Sequence, residues 1–74
     1  MKDKIIEIVS KAVKIDPVVL MENSSVRIWD SLSHLEIILL LEESFDIRFN
    51  DKDIVEMQSI NAIFDVISRI ENNK

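Results

Sequence analysis

The chain contains no glycine and a single proline, Pro17, and that absence decides most of what it can become. Tight two-residue hairpins need positions that accept positive φ, and glycine is their usual occupant. A sheet built from such hairpins has no turn chemistry here. Apolar residues instead recur at three- and four-residue spacing, the period of an amphipathic helix. The sequence therefore predicts an all-α fold.

Residues 2 to 14 read as a first helix, with Ile5, Ile8, Val9, Ala12 and Val13 on one stripe. Asp16-Pro17 ends it, because the residue before a proline avoids helical angles and proline cannot donate to the ladder. From Asp16 to Asp30 no period is sustained, and only Val19, Leu20, Val26 and Ile28 offer apolar anchors. So long a loop in a small domain must be pinned by such anchors or carry function. A second helix is predicted from about Ser31 to Phe45, and a break from Asp46 to Asn50. Asp51 to Glu56 has the length of one or two helical turns. Ser59 is a good N-cap for a last helix bearing Ile60, Ile63, Phe64, Ile67 and Ile70, and Asn72-Asn73-Lys74 reads as a frayed tail. The expected architecture is a small four-helix bundle, three main helices and one short one, with a long first loop.

Seventy-four residues make one small domain, residues 1–74, with a modest core. The absence of cysteine removes disulfides and thiolate metal sites and agrees with a reducing compartment. No segment reaches the ~18 apolar residues that span a bilayer, and the N-terminus lacks a charged-then-apolar signal pattern. Without such a signal, the sequon Asn23-Ser24-Ser25 carries no meaning. A cytoplasmic monomer, outside the membrane, is expected.

The net charge of −5 is unevenly placed. Residues 30 to 56 hold eight carboxylates against Arg48 and Lys52, a net of −6, while the remainder is +1. Such a segment repels nucleic acid and suits partners with basic patches. An acidic face that merely keeps a small protein soluble would have the same composition.

The helix from Ser31 is apolar nearly all the way round. At 100° per residue, Ile37, Ile38, Leu41 and Phe45 gather on one side, which faces the core. Phe45, taken as fully buried there, would cost ~3–5 kcal/mol to truncate to alanine. Leu32, Leu35 and Leu39 gather on the opposite side beside Glu36 and Glu43. A central helix would bury both sides, but buried carboxylates are expensive without partners. An exposed apolar strip with an acidic border suits docking of other proteins. Ser31 itself falls at the helix N-terminus, where free amides and the dipole favour an anion. Taken alone, Asp30 or Ser31 is an ordinary N-cap.

Asp30-Ser31-Leu32, Glu36, and Leu41-Glu42-Glu43-Ser44-Phe45-Asp46-Ile47 stand at a spacing that resembles an acyl carrier protein. The resemblance extends over essentially the whole chain. It implies a phosphopantetheine arm on Ser31, flanked by Asp30 and Leu32 and attached by a carrier-protein synthase (a phosphopantetheinyl transferase) that uses coenzyme A. It further implies a thioester on the arm's thiol, no catalysis by the carrier, and partners that load, modify or transfer acyl groups. In this frame Leu32, Leu35, Glu36, Leu39, Glu43 and Glu56 form the docking set. Where carriers often have a glycine one or two places before Asp-Ser-Leu, this chain has Ile28-Trp29. Trp29-Asp30-Ser31-Leu32 resembles carriers of specialised pathways, such as surface polysaccharide or secondary-metabolite assembly, beside the fatty-acid role common in the family.

Three rival readings are weaker. Ser31 and His34, three apart, suggest a hydrolase dyad, but no glycine opens an oxyanion hole and no strained nucleophile turn is present. His34 is better read as a packing or surface residue. Asp46 to Asp53 fails as a calcium loop, since Arg48, Asp51 and Met57 stand at the third, glycine and closing-glutamate positions, and no metal site is expected. A helical interaction module without a prosthetic group accounts for the apolar strip but not for the serine.

Overall fold

A computed structural model describes residues 2 to 72. Five helices lie among them: α1 (Lys2–Val13), α2 (Pro17–Glu22), α3 (Ser31–Phe45), α4 (Asp51–Glu56) and α5 (Ile60–Asn72). The fold is all-helical. The expected count of four is corrected by α2, which occupies the start of the long first loop. Its six residues are too few to display a period. Asp16-Pro17, read from sequence as a stop, is also a start. Asp16 caps α2 by accepting from the Val18 amide at 2.8 Å, and Pro17 takes the first helical position, where its missing N–H costs nothing.

With no glycine to spend, the chain ends two helices on left-handed residues that carry a Cβ: Lys14 at φ 58° and Asp46 at φ 53°. Each such residue costs on the order of 1–2 kcal/mol in the left-handed region, less for Asp. Both positions are held by local bonds: Lys14 N–H to Ser10 O at 2.9 Å, and the Asp46 N–H to Glu42 O. Asn50 opens α4 through a reciprocal capping box with Asp53. Ser59 opens α5, its hydroxyl accepting from the Ala62 amide at 3.0 Å. Asn72 ends α5, and Asn73 and Lys74 of the expected tail lie outside the described residues.

One core draws on every long helix: Ile5, Ile6 and Val9 from α1, Ile37, Ile38 and Leu41 from α3, and Ile60, Ile63, Val66 and Ile67 from α5. Leu20, Trp29, Ile47, Phe49 and Met57 close it from the short helix and the connections. Against expectation, Ile8, Ala12 and Val13 pack only at its rim while Ile6 is buried. Of the loop anchors, Leu20 is buried and Ile28 half-buried, but Val19 and Val26 are exposed. Phe45 is also corrected: it is half-buried at the rim, with the Lys4 ammonium 5.2 Å from its ring centre. Truncating it forfeits about half of what a fully buried phenylalanine would, so ~2 kcal/mol.

Candidate functional site at the start of α3

Asp30 is the N-cap of α3, with extended backbone angles and its carboxylate accepting from the Ser33 amide at 2.8 Å. The first backbone bond of the helix runs from His34 N–H to Asp30 O, 3.0 Å. Ser31 is therefore the first helical residue and not the cap. Its side chain is exposed, and its amide and that of Leu32 precede the helical ladder. The Asp30 carboxyl is held below the usual carboxylate range, first by the Ser33 amide and then by the Ser33 hydroxyl, with a smaller push from Arg27. A carboxyl lowered in this way stabilises the fold above its unfolded pKa, and the contribution is lost as pH falls through the lowered value. At neutral pH the cap is fully charged.

Arg27 is the residue that sequence reasoning passed over. Its guanidinium makes three contacts: Nε donates to Trp29 O at 3.0 Å, Nη1 to Gln58 Oε1 at 2.9 Å, and Nη2 to Ser31 Oγ at 3.3 Å. The serine hydroxyl thus faces a cation whose position is fixed from two other directions. The only sequence signal was a lone base in an otherwise uncharged run from Asn23 to Trp29.

Beneath this lies a buried polar pair. Trp29 Nε1–H donates to His34 Nδ1 at 3.0 Å, and His34 Nε2 lies 3.1 Å from Ile54 O of α4. Indole N–H can only donate, so Nδ1 must accept and Nε2 must carry the proton given to Ile54. Both ring nitrogens are taken, which leaves none to activate Ser31 and removes the dyad on geometric grounds. His34 is a packing residue that joins the loop, α3 and α4. Among the described residues no buried side-chain polar atom lacks a partner. His34→Ala is expected to strand the Trp29 N–H and the Ile54 carbonyl and to cost about 1–3 kcal/mol. The urea midpoint followed by the fluorescence of Trp29, the single tryptophan, checks this, and an unchanged midpoint would refute it.

The outer side of α3 carries Leu32 at 78%, Leu35 at 56% and Leu39 at 65% exposure, with Glu36 and Glu43 exposed beside them. Val55 of α4 is likewise exposed. Glu56 differs from the other carboxylates: Arg69 of α5 donates to it at 3.0 Å and to Asp53 at 3.2 Å, fastening α4 to α5. Glu42 is also used within the fold, accepting from the Phe49 amide at 2.9 Å. Among the described residues no group of three or more His, Cys, Asp or Glu side chains gathers to hold a metal ion, and no helix is long and apolar enough to cross a membrane.

No protein-family model matches the chain. An acyl carrier protein of Syntrophobacter fumaroxidans is 28% identical to it over 72 residues, spanning 93% of this chain and 89% of the relative.

Proposed function

We propose that this chain, similar to an acyl carrier protein along nearly its whole length, is a carrier whose phosphopantetheine arm is attached to Ser31. The observation that carries the reading is the setting of the Ser31 hydroxyl: exposed, first in α3, and in contact with a guanidinium. A phosphodiester fits there, because helix-terminal amides and a cation both favour the negative charge that the attachment introduces. Asp30 caps the helix through Ser33 and leaves Ser31 free to react, and Leu32 flanks it at the exposed edge. When bound, the arm would supply a thiol that holds an acyl or related group as a thioester. The protein's own residues do no catalysis in this reading: Ser31 is an acceptor for a synthase, and its proton passes to a base of that enzyme.

Recognition is assigned to the outer side of α3. Leu32, Leu35 and Leu39 offer apolar contact, and Glu36 and Glu43 offer charge to basic patches on the synthase and on acyl-loading, chain-modifying or acyl-transfer enzymes. Glu56 contributes less, since it already holds Arg69. The pathway is either fatty-acid synthesis or a specialised assembly route.

Incubation of the wild type with coenzyme A and broad-specificity carrier-protein synthases is expected to add one phosphopantetheine, read by intact mass. No addition with several such synthases would leave an interaction module without prosthetic group as the better account. Glu36→Lys is expected to slow loading at low salt with little change in melting temperature, because it reverses a charge at an exposed helix position with a good helix former. Added salt should slow the wild type more than this variant. Loading at the wild-type rate would exclude this face as the docking surface.

A further inference from the structure

Arg27 is the sole Lys or Arg between Lys14 and Arg48. Among the described residues no carboxylate forms an ion pair with it, whereas Arg69 holds two. Asp30 feels its charge without touching it. A guanidinium in a chain of net charge −5 has many acids to choose from. This one is instead tied by Nε to a backbone carbonyl and by Nη1 to the Gln58 amide, and Gln58 is itself held through Nε2 to Val55 O at 2.8 Å. The remaining donor edge points to the Ser31 hydroxyl, a neutral acceptor at the long distance of 3.3 Å. A pre-set cation that makes only a weak neutral contact has its strongest bond still to form.

We propose that Arg27 is the positioning residue for the arm: it grips the phosphate attached to Ser31 and holds it at the start of α3. This rests on the carrier reading. Attachment forms a bond from Ser31 Oγ to the phosphopantetheine phosphorus and breaks the pyrophosphate P–O bond of coenzyme A, releasing adenosine 3',5'-bisphosphate. The hydroxyl proton passes to a base of the synthase. The phosphodiester so made carries one negative charge, one covalent bond from the atom that Arg27 already touches. The new charge arises beside the ionised Asp30 cap, and without Arg27 two anions would share the start of α3. The guanidinium, held in place by Gln58 and the Trp29 carbonyl, offsets that repulsion. Lysine cannot take over. Its single ammonium carries the charge but cannot hold the Trp29 carbonyl, Gln58 and the phosphate at once.

The test uses the intact chain, labelled with nitrogen-15 and converted from the unmodified to the modified form with coenzyme A and a carrier-protein synthase. The Arg27 Nε–Hε resonance is expected to move on conversion while those of Arg48 and Arg69 stay. In phosphorus NMR, the modified wild type should differ in shift from Arg27→Gln and show a broader line, with Arg27→Lys between them. Added salt should move the wild-type signal toward that of Arg27→Gln. If mass spectrometry shows the wild type modified, yet the Arg27 resonance is unmoved and the phosphorus signal matches that of Arg27→Gln, the role of Arg27 is overturned and the carrier reading stands. If the wild type takes up no arm, both fall. The wild-type spectra decide the matter even if an Arg27 variant disturbs the loop, which a change in Trp29 fluorescence would reveal.

Discussion

Ser31→Ala is expected to abolish phosphopantetheine attachment outright while the helical circular dichroism and the melting temperature stay near those of the wild type. Loss of the accepting oxygen leaves a synthase nothing to esterify at this position. The fold tolerates the change because Ser31 is exposed and the cap belongs to Asp30. The one side-chain bond lost is the 3.3 Å contact from Arg27. Alanine is the better helix former, so the net effect on stability should lie within about 0.5 kcal/mol. An arm found on the alanine variant would place the acceptor at another hydroxyl, such as Ser24, Ser25 or Ser33. A variant that fails to fold would mean that Ser31 holds the helix start together.

Leu41→Ala and Leu39→Ala, two residues apart on one helix, are expected to differ sharply. Leu41 is completely buried and Leu39 is 65% exposed. Emptying the buried site should cost about 2–5 kcal/mol. A domain of 74 residues has roughly 4–11 kcal/mol of stability in all. At about 4–8 °C per kcal/mol for a domain of this size, Leu41→Ala should lose at least ~8 °C in melting temperature. Leu39→Ala should change it little and should instead weaken use by partner enzymes. Equal losses in the two variants would show that α3 buries both of its sides and presents no docking strip.

The two-sided nature of α3 was legible before any coordinates. Helical angle arithmetic needs only the order of residues, and it placed Ile37, Ile38 and Leu41 inside and Leu32, Leu35 and Leu39 outside. The start of α3 was legible for a related reason: its cap bonds residues three apart, Asp30 and Ser33, so the partners are neighbours in sequence. The same arithmetic erred where it stopped at one element. Phe45 shares the inward side of α3, yet it lies at the end of the helix, where the core gives way to Lys4 and solvent. Helix α2 escaped notice because one buried residue, Leu20, makes no pattern.

Composition and local order, by themselves, determined the helical class, the four helices other than α2, and the serine that opens α3. Those features depend on ring closures of a few residues and on which amino acids permit a turn. Only the tertiary structure decided what surrounds that serine. Arg27 reaches Gln58 across 31 residues of chain, and His34 reaches Ile54 across 20. The path of the loop that sets Arg27 beside Ser31 is held by the Trp29–His34 bond and by the Asn61 amide on Ser24 O at 2.9 Å. No local rule selects such partners. They meet because packing of the shared core brings α3, α4 and the start of α5 against the loop, and the energy of that packing is a property of the whole chain.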